Sequence, residues 1–231
     1  MEKIRAPRAV DLATHQIRGE ILAGILQPGE RLPPERELAE SLGIARLTLR
    51  AALARLEAEG LVRARQGSGI TVLDYRTEGG VELLPHLLAR GDWSLLGPVL
   101  QLRRAVAVEA VAAAVERASD ADLDRLQALA EELSSETDLP ALAEGNLAFS
   151  RGVIRLTDNL PLELLFNAVA KVYRSRPELV DLLLAEPDAV RASFPAIVAL
   201  IRTRDAERAR ALVRATLRAI DDATLARLEA P

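Results

Sequence analysis

Cysteine is absent from the 231-residue sequence, which excludes disulfides, thiolate metal sites and a cysteine nucleophile. Histidine occurs only as His15 and His86, so three imidazoles cannot converge on one cation. Aromatic residues make up 3% of the chain although 49% of it is apolar. That balance favours Leu, Ala and Val packing between helices over a sheet-rich core. No uninterrupted apolar run reaches the ~20 residues that span a bilayer, and no N-terminal apolar run resembles a signal peptide. A cytoplasmic protein with no membrane partner is expected. Lysine is confined to Lys3 and Lys171, so nearly every cation is an arginine.

The formal charge of −4 argues by itself against a nonspecific nucleic-acid binder, but it is unevenly spread. Residues 1–75 hold 11 Lys+Arg against 10 Asp+Glu, and residues 76–231 hold 19 against 24. Within the first part Arg36, Arg46, Arg50, Arg55, Arg63 and Arg65 are expected to crowd one face. A local patch, not overall charge, is what phosphate contact needs.

The most informative stretch is residues 28–73, PGERLPPERELAESLGIARLTLRAALARLEAEGLVRARQGSGITV. Pro33-Pro34 are expected to start a helix, since proline in the first helical turn loses no hydrogen bond. Leu38, Ala39 and Leu42 form its inward stripe, and Gly43 supplies the tight turn that ends it. Leu49, Leu53 and Leu56 recur at helical spacing on a second helix, with Arg46 and Arg50 at i, i+4 on the opposite face. Gly60 ends that helix. Leu61–Arg65 and Ile70–Leu73 flank Gln66-Gly67-Ser68-Gly69 as a hairpin. Upstream, Val10, Ala13, Ile17, Ile21, Leu22 and Ile25 share one face of a helix over 9–26. Helix, turn, arginine-bearing helix and hairpin, in that order, make a winged helix-turn-helix, whose second helix enters the DNA major groove. A small helical module with solvated arginines is the plainer reading. Turn chemistry, wing and arginine placement agree with one another, which favours the DNA-binding one.

Over roughly residues 9–74 the chain resembles the GntR family of bacterial transcription regulators. The matching elements are Pro28-Gly29, Leu32-Pro33, Glu35-Arg36-Glu37-Leu38, Ala45-Arg46-Leu47-Thr48-Leu49-Arg50 and Gly67-Ser68-Gly69. Position by position, the resemblance implies that Arg36, Arg46 and Arg50 contact DNA, with Thr48 on a phosphate and Gly67 at the wing tip. Ala45 stands where the family usually has Ser or Thr, so one contact at that helix N-terminus is missing or made by a backbone N–H.

Asp74–Gly80 is polar and ends in two glycines, a linker signal. This divides the chain into a DNA-binding domain over 1–74, a linker over 75–80 and an all-helical domain over 81–231. From residue 81 every segment has helical period, with helices expected near 81–90, 95–117, 121–136, 139–157, 161–184, 187–203 and 205–227. Start signals stand at Ser119–Asp122, Asn159–Pro161 and Glu186–Asp188, and Pro177 and Pro195 should break or kink helices locally. The fold class is therefore mostly α: a winged helix-turn-helix with a small β-hairpin, then an antiparallel bundle of six or seven helices. Asn146, Ser150, Arg151, Arg155, Asn159, Tyr173 and Arg174 fall at positions that would otherwise be interior. Buried polar groups need partners, and a ligand is one such partner.

The helical half resembles the FadR subfamily of GntR regulators, which mostly carry a metal site on this bundle. At the positions of that subfamily's metal ligands this sequence has Asn146, Ser150, Phe194 and Thr216. The resemblance therefore implies no bound metal and no cofactor here. Metal-free members resembling this chain through Thr77–Gly80, Leu102-Arg103-Arg104 and Asn146–Asn159 are the fatty-acid-responsive regulators, whose effector is a long-chain acyl-CoA. The ligand-binding candidates are then Arg103, Arg104, Asn146, Ser150, Arg155, Tyr173 and Phe194. Another small organic acid held without a metal, or no effector at all, remains open.

Family operators are short palindromes, so the resemblance implies a homodimer on double-stranded DNA with one recognition helix per half-site. An enzyme is disfavoured. The sequence offers no Ser-His-Asp set, glycine-rich phosphate loop or metal motif. An adaptor with a degenerate DNA module would not need both Arg46 and Arg50.

Overall fold

The positive φ of 63° at Gly43 makes the turn that lets two short helices cross, and it places the arginine-bearing helix. The computed structural model describes residues 6–65, 67, 69–88, 90, 93–175, 184 and 186–229. The chain divides into two units, one ending at Leu87 and the other starting at Leu88.

In the first unit, α1 spans Ala6–Leu22, α2 Glu35–Ser41 and α3 Arg46–Ala58, followed by β1 (Val62–Arg65), β2 (Gly69–Val72) and α4 (Tyr75–Glu78). Ala13, Ile17 and Ile21 are buried along α1, the four-residue spacing of one helix face. Ile25, expected on the same face, is 68% exposed because the helix has already ended at Leu22. Pro33-Pro34 do not lie in the first turn of α2. Pro34 is its N-cap in extended conformation, and the helix opens on Glu35.

The two strands pair antiparallel from Val62↔Val72 to Arg65↔Gly69, with Gln66 and Ser68 of the expected turn outside the described residues. A further segment joins them: Leu32 N–H donates to the Ile70 carbonyl and Gly29 N–H to that of Val72, each at 2.9 Å. The core combines Ile17, Ile21, Leu49, Leu53, Leu56, Leu61, Val62, Ile70 and Val72 with Leu83. Residues 75–80, read as a linker, instead form α4 and two glycines packed on this unit. A Cβ at Gly60, where φ is +70°, would run into the backbone carbonyl of Glu78. A Val81–Leu83 turn of 3₁₀ helix then leads into α5, Leu84–Leu88.

The second unit holds α6 (Leu96–Arg117), α7 (Asp120–Ser134), α8 (Leu139–Arg155), α9 (Leu160–Ser175), α10 (Pro187–Arg202) and α11 (Ala206–Glu229). Ten residues of α6, from Leu96 to Val115, are buried, while Gln101 and Glu109 stay exposed. α11 packs mainly on α6, and α10 mainly on α7. A capping box at Ser119 starts α7, its hydroxyl accepting from Asp122 N–H while Asp122 accepts from Ser119 N–H. Asn159 and Pro187 open α9 and α10 as their sequence signals indicate. Pro195 sits inside α10, which continues through it. The proline removes the N–H that would bond the Arg191 carbonyl; Ser134 Oγ, which donates to the Ala130 carbonyl at 2.6 Å, lies 3.4 Å from that oxygen. Pro177 and the end of the expected 161–184 helix lie largely outside the described residues. Among the described residues no helix is long and apolar enough to cross a membrane.

Candidate functional site

α3 presents its N-terminal turns outward. Ala45 caps it in extended conformation with no side-chain hydrogen bond, so the first-turn N–H groups carry no side-chain acceptor. The Arg46 and Arg50 side chains are 60% and 62% exposed, and Leu47 between them is 81% exposed. Behind them Leu49, Ala52, Leu53 and Leu56 are buried, which fixes the rotation of the helix. Both guanidiniums meet one carboxylate: Arg50 Nε donates to Glu35 Oε2 at 2.7 Å, and Arg46 stands 3.9 Å from the same oxygen. Arg36, exposed at the start of α2, lies 3.7 Å from Glu40. Thr48 is half-buried and Gly67 has open space around it. Arg65 is exposed, and Arg55 and Arg63 keep 52% and 43% of their side chains exposed. They are held in ion pairs with Asp11 and Glu78.

The helical unit encloses a cavity of about 550 Å³, within the ~300–1,000 Å³ of small-molecule sites. Val106, Val111, Phe149, Val153, Ile154, Phe166, Phe194, Ile197 and Val213 give it a largely apolar wall. The Phe149 and Phe194 rings lie 5.0 Å apart at 55°. Ala196, Ala199 and Thr203 of α10 and Arg208, Leu212 and Thr216 of α11 line it while remaining exposed. They form the rim of a slot between two helices that otherwise scarcely touch. Arg103 closes one side.

Arg103 belongs to a buried charge cluster. It and Arg104 each donate to a different carboxylate oxygen of Asp221, whose side chain is 3% exposed. Burial pushes the Asp221 carboxyl up from its ordinary range, and the two guanidiniums pull it back. Tyr173 lies buried beside Arg103. Its phenol is raised by burial, against the pull of that guanidinium. Arg103 Nε and Tyr173 Oη are buried and lack a well-formed hydrogen bond.

Two family profiles cover most of the chain. One, described as "Bacterial regulatory proteins, gntR family", matches residues 11–72, and the other, described as "FCD domain", matches residues 98–219. The HTH-type transcriptional regulator Mce2R of Mycobacterium tuberculosis is 37% identical over 161 residues, covering 68% of this chain and 67% of that protein. An uncharacterized HTH-type transcriptional regulator of the same species is 32% identical over 203 residues, covering 88% and 84%. The chain belongs to the GntR family. It is a transcription regulator with a DNA-binding GntR domain and an FCD effector-binding domain, and not an enzyme. A solved structure described as "Lar controls the expression of the Listeria monocytogenes agr system and mediates virulence" shares the fold. Its TM-score is 0.61 at 19% identity, over 94% of this chain and 96% of that one.

Of the ligand-binding candidates in this GntR regulator, Arg103, Asn146, Ser150 and Phe194 stand on the cavity wall. Arg104 and Tyr173 sit behind Arg103, and Arg155 points away, 68% exposed and 3.9 Å from Glu163. Asn159 and Arg174 are also exposed rather than interior, with Arg174 paired to Glu144 at 2.8 Å. The four positions matching the subfamily's metal ligands, Asn146, Ser150, Phe194 and Thr216, all line the cavity. An amide, two hydroxyls and a phenyl ring are not a donor set for a divalent cation. Among the described residues no three His, Cys, Asp or Glu side chains gather as a metal site. Asp221 was missed by sequence reasoning, although it continues the Val213–Leu217 stripe at helical spacing and so had to face inward.

Proposed function

We propose that this regulator binds a palindromic operator as a homodimer, reading bases with Arg46 and Arg50. Arg36, Thr48 and the Gly67 wing tip hold the DNA backbone. The carrying observation is the exposure of both α3 arginines on the first two turns of an uncapped helix whose other face is locked in the core. A bidentate arginine–guanine contact contributes ~1–3 kcal/mol of discrimination. The helical unit serves effector binding and dimerisation. An effector with an acyl chain fits the apolar slot, either as the long-chain acyl-CoA that metal-free relatives suggest or as a free organic acid. Its binding changes operator affinity to the extent that it prefers one spacing of the two winged helices.

The test is a mobility-shift series on palindromes recovered by genomic footprinting. Arg46→Ala and Arg50→Ala should each relax preference at one base position by roughly 5- to 150-fold. Arg36→Ala should weaken all sequences alike and lower the salt slope by about one. Unchanged sequence preference in both recognition-helix variants would refute the assignment.

A further inference from the structure

We infer that Leu47 is a specificity-determining residue, which reads the 5-methyl group of a thymine beside the bases met by Arg46 and Arg50. This rests on placing α3 in the major groove. Leu47 is 81% exposed, more than any other large apolar side chain among the described residues. A lone exposed leucine is ordinary on a protein surface, but this one opens the helix that carries the two arginines. It is the second residue of α3, and Arg46 before it and Arg50 after it are themselves exposed. Folding alone does not call for such a turn. The first turn of a helix favours acidic side chains, as at Glu35 and Glu37 of α2 and Asp120 and Asp122 of α7, whereas α3 has none there. A cation and a branched apolar side chain stand instead where a helix in the groove comes nearest to the base edges.

The outward face of α3 carries two rows of side chains. Arg46 and Arg50 make one at i, i+4, and Leu47 and Ala51 make the other, one residue further round. Ala51 and Ala54 are exposed and too short to hold the helix off a surface. The exposed cations call for an anionic partner, and that partner must also suit a branched apolar side chain beside them. In the major groove guanine offers acceptors to arginine, and the 5-methyl of thymine is the one apolar group that the base edges present. Leu47 cannot form a hydrogen bond. Against any other base it would cover a donor or acceptor without replacing its water, which is costly. Preference for thymine follows from both effects, one attractive and one repulsive.

Mobility shifts of the full chain on its strongest footprinted palindrome test this. Each thymine is replaced in turn, in both half-sites, by deoxyuridine, which lacks only the methyl group. At one position the loss should be roughly fifteen-fold, about four-fold for each methyl removed from contact. Leu47→Ala should bind the thymine and deoxyuridine duplexes of that position with equal affinity. Its melting temperature should match the wild type, because so exposed a side chain supports no core. Deoxyuridine tolerated everywhere, with Arg46→Ala and Arg50→Ala still altering base preference, would overturn the Leu47 assignment and leave α3 as the reading helix. A deoxyuridine penalty that persists in Leu47→Ala would give the methyl to another side chain and overturn the assignment equally. Arginine variants that keep the wild-type preference would take α3 out of the groove, and the Leu47 reading would fall with it.

Discussion

Glu35 holds Arg50 through a 2.7 Å hydrogen bond and stands 3.9 Å from Arg46, so one carboxylate on α2 faces both exposed arginines of α3. With all three side chains at least 30% exposed, these contacts add little to stability, in the ~0–1 kcal/mol range of surface pairs. Their consequence is conformational: the guanidiniums are gathered over one spot before DNA arrives. Glu35→Gln should therefore leave the melting temperature nearly unchanged. It should strengthen binding to random DNA, because a negative charge leaves the interface, while lowering the operator-to-random affinity ratio several-fold. Competition mobility shifts at fixed salt read that ratio, and a ratio equal to wild type would dismiss the orienting role.

Gly60 and Gly67 share left-handed backbone, with φ of 70° and 78°, but their surroundings differ. A side chain at Gly67 meets open space, whereas one at Gly60 strikes the Glu78 backbone. Gly67→Ala should destabilise by about 1–2 kcal/mol, the cost of a left-handed residue with a Cβ. Gly60→Ala should cost more than that, because α4 must move as well. Denaturant midpoints of the two variants give the comparison, and equal losses would mean that α4 is not packed tightly against the turn.

The DNA-binding half was largely legible because its signals are local. A turn glycine, a stripe of leucines and two arginines at i, i+4 each declare a short-range geometry. The pairing of residues 29–32 with β2 escaped because backbone hydrogen bonds between distant segments leave no side-chain pattern. Gly79 and Gly80 resembled a linker for a related reason. Glycine marks flexibility and close approach alike, and at Gly79 a Cβ would stand 2.5 Å from Leu83 and 2.7 Å from the Tyr75 carbonyl. While Phe194 came only from the resemblance to the metal-binding subfamily, helical spacing in the bundle brought Asn146 and Ser150 to the cavity. It misplaced Arg155, since the last turn of a helix can face solvent whatever its phase. The Asp221 partnership spans more than a hundred residues of sequence, and only the fold brings those side chains together.

Arg18 and Glu59 form a two-pronged pair, Nε to Oε2 at 2.7 Å and Nη2 to Oε1 at 2.6 Å, with side chains 11% and 19% exposed. It ties α1 to the C-terminal end of α3. Breaking it on one side strands a largely buried charge, so Arg18→Met should destabilise the chain by about 3 kcal/mol. Adding Glu59→Leu should recover much of that, because a matched apolar pair often replaces a buried ion pair at little cost. Thermal melts of the two singles and the double close the cycle. Additive losses would show that the two side chains act independently.

His86 gives this unit a pH dependence whose direction follows from its surroundings. Burial lowers its pKa below 6.5, Arg18 and His15 lower it further, and only Glu59 opposes them. A histidine depressed in the folded state is held neutral there, while in the unfolded chain it takes up a proton near pH 6.5. Folding stability is therefore complete above that pH and falls as the solution is acidified toward the lower folded value. His86→Gln removes the titrating group. The wild-type melting temperature should drop more steeply than the variant's between pH 7.5 and 5.5, and the difference between the two curves isolates His86 from Asp221, whose raised pKa acts in the opposite sense. Parallel curves would mean that the imidazole titrates alike in the folded and unfolded chain, and that its burial beside Arg18 has no energetic consequence.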